Sequence, residues 1–206
     1  MKSRRRPETH ASGRKGTLAS GLFFLLILFF VAWAGWYDIN YIAPDHRLEE
    51  LEPVIQAAAR KHGVPVALAM AVIWKESRFR SGSVGKAGEI GLMQIMPGAV
   101  EEWFRGTRQE RRPSRKELFT PEMNLEIGLW YLAWCGRHWE TYKSAEILQL
   151  AEYNAGYSRV SQWKPKDPQT SLSLEQISIP TTREYVRQIL EKRDFYDLRN
   201  RKKDVN

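Results

Sequence analysis

The chain has 206 residues, 43% of them hydrophobic, one cysteine and a formal charge of +8. That length suits one membrane segment and one compact domain. Cys135 stands alone, which excludes an intrachain disulfide, and no HExxH, zinc spacing or phosphate loop accompanies the scattered His10, His46, His62 and His138, so no metal, no cofactor and no nucleic-acid partner is expected.

The positive charge is concentrated at the start. Lys2, Arg4, Arg5, Arg6, Arg14 and Lys15 face one acid, Glu8, and residues 17–206 carry a net charge of only +3. Residues 1–17 therefore read as a basic cytoplasmic tail. Residues 18–37, LASGLFFLLILFFVAWAGWY, contain no charge. At ~1.5 Å per residue a helix of that length covers a hydrocarbon core of ~30 Å. The positive-inside rule keeps the N-terminus in the cytoplasm and exports the residues beyond Tyr37. The competing reading is a signal peptide cleaved after Ala32-Trp33-Ala34; the length of the apolar run favours the anchor. Either way the rest of the chain leaves the cytoplasm.

Residues 38–47 read as a linker, and helix signals dominate from there. Leu48, Leu51, Val54, Ile55, Ala58 and Ala59 recur at helical spacing, with Pro53 expected in the first turn. Pro65 to Lys75 is apolar on almost every face, which predicts a helix buried in the domain centre. Residues 77–91 are rich in Ser and Gly and predict a loop. A helix follows from Pro97, then a charged surface loop over Arg105–Lys116. Further helices are predicted over Pro121–Trp139, Ser144–Tyr153 and Thr182–Leu198, with an irregular stretch at 164–179 and a polar tail at 199–206. The class is all-α. Cys135, inside GLWYLAWCG, reads as a small core residue.

Glu76 ends the apolar helix. Apolar surroundings and the negative end of the helix dipole both disfavour its carboxylate, which suits a general acid. On position alone the plainer reading, the first exposed residue after a buried helix, is the stronger one. The neighbouring motifs reverse that order.

AVIWKESRFRSGSVGKAGEIGLMQIMP, FTPEMNLEIGLWYL, LQLAEYNAGYSRV and IPTTREYVRQIL occur in that order across residues 48–198. Together they resemble the four motifs of the soluble lytic transglycosylase family, and one such motif alone would carry little. The resemblance implies a lysozyme-like helical domain over 48–198 that cleaves peptidoglycan glycan strands; the predicted anchor puts that domain on the outer side of a bacterial inner membrane crossed once. It implies that Glu76 is the catalytic acid/base, and that Ser77, Gln94, Tyr153, Asn154 and Tyr185 line the sugar groove. Three of these have plainer alternatives: Tyr153 and Tyr185 as helix-face aromatics, and Asn154 as a C-cap before Gly156; Asn124 reads as a helix cap rather than a substrate contact. Met93 and Met96 fit groove lining and gap filling equally.

Three positions depart from the family pattern. Gly85 stands where a serine is common, and Glu89 and Glu152 stand where small residues are common. The two acids keep a hydrolytic muramidase on the same fold open, and the loss at Gly85 keeps a non-catalytic peptidoglycan-binding scaffold open.

Overall fold

Seven consecutive residues, Ala67 to Ile73, are buried, so the helix they form meets protein on every side. A computed structural model describes residues 25–35 and 43–205, which divide into two compact units at Ala43–Pro44. In the first unit, residues 25–35 form a helix, α1, whose Leu25 to Val31 are exposed. Among the described residues no helix is long and apolar enough to cross a membrane. The predicted tail 1–17 and the ends of the predicted span, 18–24 and 36–37, lie outside the described residues.

The second unit is all-α. It contains α2 (Ala43–Lys61), α3 (Val66–Ser77), α4 (Pro97–Thr107), α5 (Pro121–Arg137), α6 (Ala145–Ala155), the short α7 (Tyr157–Val160) and α8 (Pro180–Val205). Among the described residues the only β pairings are isolated bridges, Val84 with Ile90 and Ile90 with Ile95. The buried helix is α3, and α8 packs along it; α5 pairs with α4 and α6, and α6 also meets α8. Leu48, Ile55 and Ala59 bring one face of α2 to the core.

Two helix ends differ from the periodicity. The first is the start of α2, which lies at Ala43, so Pro53 stands in the helix interior, not in its first turn. There its missing N–H removes the bond that the Glu49 carbonyl would accept. At the other end of the chain, α8 continues through residues 199–205, which are helical rather than a separate tail. Glu52 on α2 supplies the reason. It is buried, and it accepts from Arg199 at 2.9 Å and Lys203 at 2.8 Å. Burial pushes its carboxyl up, but the two cations outweigh that and hold it below its ordinary range.

The charged loop after α4 is pinned at its surface. Arg112 pairs with Glu101 and covers the Phe104 ring at 4.1 Å, and Arg111 pairs with Glu117.

Candidate active site

The glutamate at the end of α3 sits where the backbone turns hard. Arg78 and Phe79 follow it with φ of 54° and 59°, and Gln94 has a φ of 47°. Such left-handed non-glycine residues are uncommon and cost of order 1–3 kcal/mol each. Ser77 and the N–H of Gly85 hold this turn and the loop after it. Ser77 Oγ accepts from the Arg80 N–H and donates to the Ile73 carbonyl, and the Gly85 N–H donates to the Glu89 carbonyl.

Glu76 is half-buried, and its Oε1 accepts a hydrogen bond from Tyr185 Oη at 2.6 Å. Burial pushes the carboxyl up to about 7; the Tyr185 bond and Lys75 oppose this, and the charge of Glu89 adds to it. Lys75 opposes only from a distance, because its Nζ donates to Gln188 on α8 at 2.7 Å. The result is a carboxylic acid that is still substantially protonated near neutral pH, as proton donation to a leaving oxygen requires.

Replacing Tyr185 with Phe removes the bond that favours the charged form. The Glu76 pKa is then expected to rise above its value of about 7. Carbon-detected NMR titration of the Glu76 carboxyl in Tyr185→Phe checks this, and an unmoved or lowered midpoint would contradict it.

The other predicted residues divide into two groups. Tyr185 touches Glu76 directly, and Tyr153 feels its charge. Tyr185 is 4% exposed, and burial and then the charge of Glu76 push both phenols well above their ordinary range. Tyr153 Oη also donates to the Met93 carbonyl at 2.9 Å, which fixes the loop that carries Gln94. Gln94 spends its Nε2 on the Gly91 carbonyl at 2.9 Å, and its Oε1 lies toward Gly85.

Ser77 and Asn154 are each held by a bond within the protein. Ser77 is buried at 1% exposure and bonded within its own turn, so it staples the end of α3. Asn154 is exposed, and its Oδ1 accepts from Thr182 Oγ1 at 2.8 Å, tying the end of α6 to the start of α8.

Asn124 is the residue that sequence reasoning undervalued. It is not a cap: the N-cap of α5 is Thr120, whose side chain caps no helix N–H and donates instead to the Glu117 carbonyl, and Asn124 lies one turn further in, fully buried. Its Oδ1 accepts from the Met93 N–H at 2.8 Å, while its Nδ2 donates to the carbonyls of Ile90 at 2.9 Å and Leu118 at 2.7 Å. One side chain thus holds the loop that places Gln94 and the Tyr153 contact. Gly91 makes room for it, since a Cβ there would stand 2.2 Å from Asn124 Nδ2, and its φ of +77° suits glycine. Its place three residues after Pro121, at the start of a helix, suggested a cap, and nothing in that spacing reports burial.

The departures also resolve into geometry. A Cβ on Gly85 would stand 2.1 Å from Glu89 Oε2 and 2.8 Å from Gln94 Oε1. Glu89 therefore occupies the space a serine side chain at position 85 would enter, and its Oε2 accepts from the Ala87 N–H at 2.9 Å. Glu152 is 1% exposed and engaged on both oxygens, by His138 Nδ1 at 2.8 Å and Trp139 Nε1 at 2.6 Å. It brings no open carboxylate to the Glu76 site. Cys135 is buried, and burial followed by the charge of Glu152 pushes its thiol up, away from nucleophilic use.

The family model described as "Transglycosylase SLT domain" matches residues 53–175. That is more than half of the chain, and the chain belongs to this family, with its all-α, lysozyme-like fold.

Among relatives, it is 31% identical over 121 residues to membrane-bound lytic murein transglycosylase C of Salmonella typhimurium, covering 56% of this chain and 34% of that protein. It is 27% identical over 116 residues to membrane-bound lytic murein transglycosylase E of Buchnera aphidicola, covering 56% and 52%. An inactive mutant of the lytic transglycosylase Slt from Pseudomonas aeruginosa superposes with a TM-score of 0.65 at 27% identity, over 73% of this chain and 24% of that one. The 70-kDa soluble lytic transglycosylase of Escherichia coli gives 0.62 at 27% identity, over 74% and 25%. The matched region spans a third to a half of these curated relatives and about a quarter of the solved chains.

Proposed function

We propose that this chain is a peptidoglycan lytic transglycosylase that uses Glu76 as its single acid/base. The observation that carries the reading is a carboxyl pushed up to about 7 at the end of a buried helix and gripped by Tyr185, in a domain of this family. Neutral Glu76 protonates the oxygen that links N-acetylmuramic acid to N-acetylglucosamine. Tyr185 holds Oε1, so Oε2 is the oxygen suited to deliver the proton. The muramic acetamido group stabilises the positive charge at C1. Glu76, now a carboxylate, takes a proton from the muramic C6 hydroxyl as that oxygen attacks C1. The products are a free N-acetylglucosamine hydroxyl and a 1,6-anhydromuramoyl end, and the proton balance on Glu76 is restored. Holding the hydroxyl beside C1 is a proximity effect, so the fixed loop around Gln94 matters as much as acidity.

The domain proposed to do this is 48–198, exported and tethered to the inner membrane by 18–37, with 1–17 in the cytoplasm. The charge-free run and the basic residues before it support that topology. Digestion of purified peptidoglycan by the full chain, followed by mass analysis of soluble fragments, tests the function. Anhydromuramoyl ends are the expected result; binding with no soluble fragments would replace the reading with a scaffold.

A hydrolytic muramidase is the second reading, and one observation favours it: Glu89 acts on Glu76 by its charge. Hydrolysis needs a carboxylate to activate water, and with Glu152 engaged by His138 and Trp139, Glu89 is the remaining candidate. In a transglycosylase, Glu89→Gln keeps anhydro products. Its neutral side chain lowers the Glu76 pKa, so the alkaline limb of the pH–rate profile moves to lower pH. Loss of cleavage in Glu89→Gln, with reducing ends from the native chain, would favour the hydrolase.

A further inference from the structure

One side of α5 and the residue that ends it carry a run of rings for which acid/base chemistry at Glu76 has no use. Trp134 is its centre. Its ring lies within 20° of parallel to Tyr131, with centroids 5.5 Å apart, and within 14° of Trp130 at 6.4 Å. These separations belong to offset rings and not to a closed face-to-face sandwich. Unlike Tyr131 and Trp130, half-buried Trp134 is outside the set that packs on the core.

The run has two ends. Inward, Tyr131 meets Tyr153 at 5.7 Å, the phenol that feels the charge of Glu76. Outward, His138 meets Trp134 edge-on at 4.4 Å and Tyr157 at 5.2 Å, and Tyr157 is 51% exposed. Trp130, Trp134 and His138 follow one another at four-residue intervals, an advance of ~6 Å per step along the helix. That step is of the order of one pyranose ring.

The departure at Glu152 supports this run. Its buried carboxylate fixes His138 and Trp139 together, and Trp139 lies nearly parallel to Tyr157, 22° apart at 5.5 Å. A small residue at position 152 would leave the Trp139 N–H and the His138 ring without this partner.

We infer that the rings centred on Trp134 and Tyr157 form a glycan-binding track that continues the Glu76 site along the strand. This rests on the transglycosylase reading. β-1,4-linked sugars present flat faces of C–H groups with hydroxyls at their edges, and rigid aromatic rings bury such faces at little cost in conformational entropy. Continuity with Tyr153 selects the glycan of the same substrate over an unrelated partner.

The test uses the full-length chain carrying Glu76→Gln, so that sugar is bound without turnover, and isothermal titration calorimetry. The probes are a peptide-free hexasaccharide of alternating N-acetylglucosamine and N-acetylmuramic acid, and the corresponding disaccharide. Adding Trp134→Ala is expected to weaken hexasaccharide binding by about tenfold, the size of one aromatic contact, and to leave the disaccharide within about twofold. Trp134→Phe, which keeps a ring, recovers most of the loss. Should Trp134→Ala fail to fold, Tyr157→Ala removes a half-exposed ring and is expected to act in the same direction. Hexasaccharide affinity unchanged in the folded alanine variants would overturn the track and leave the role of Glu76 standing. Equal weakening of both sugars would also overturn it, by moving the rings to the cleavage point. Failure of the unsubstituted Glu76→Gln chain to bind either sugar would overturn the transglycosylase reading and the track together.

Discussion

Glu76→Gln is expected to fold normally and to cleave glycan ~10²–10⁴-fold more slowly, the range that a positioned acid/base supplies. The amide is nearly isosteric, and its oxygen still accepts the Tyr185 hydroxyl that Glu76 Oε1 accepts at 2.6 Å. What it lacks is a transferable proton and, afterwards, a base for the C6 hydroxyl. Stability moves the other way. With its pKa raised from 4.5 to about 7 in the fold, Glu76 stabilises fully only below about 4.5, and that contribution is lost as pH rises through 7. The Gln variant is therefore expected to melt above the native chain at pH ~8 and level with it at pH ~4. Release of soluble fragments checks the first effect and calorimetric melting checks the second. Unimpaired cleavage would remove Glu76 from the mechanism.

Asn124→Ala is expected to have the largest structural effect. It leaves the Met93 N–H and the carbonyls of Ile90 and Leu118 without the partner they now share, and Asn124 is fully buried. Each stranded buried group costs about 1–3 kcal/mol. Partial relaxation makes a total of about 3 kcal/mol the expectation, a fall in Tm of about 6–12 °C for a domain of this size. The loop from Ile90 to Gln94 loses its anchor at the same time, so cleavage falls at temperatures where the protein is still folded. Denaturant unfolding and activity measured well below Tm separate the two effects. A variant of native stability would show that the three bonds are dispensable.

The all-α class and the buried helix were legible because apolar periodicity reports which faces meet protein, and α3 is apolar all round. Glu76 and Tyr185 were legible through motif order, and their juxtaposition across 109 residues is now a hydrogen bond. Other features were hidden because they depend on partners distant in sequence. Nothing local shows that Glu52 awaits Arg199 and Lys203, so the end of α8 read as a tail. Ser77 and Asn124 are polar residues whose bonding needs lie inside the protein, and a polar letter does not reveal which way it faces. Glu89 and Glu152 looked alike as departures. One fills the space beside Gly85, and the other is locked under a set of rings.

In the proposed reaction the muramic C6 hydroxyl, and not water, attacks C1. Digestion of purified peptidoglycan by the native chain in water labelled with heavy oxygen tests it most directly, with mass analysis of the muramic ends. Anhydromuramoyl ends, one water lighter than reducing ends and free of label, are the expected result. Reducing ends that each carry one labelled oxygen would contradict it and make the enzyme a hydrolase.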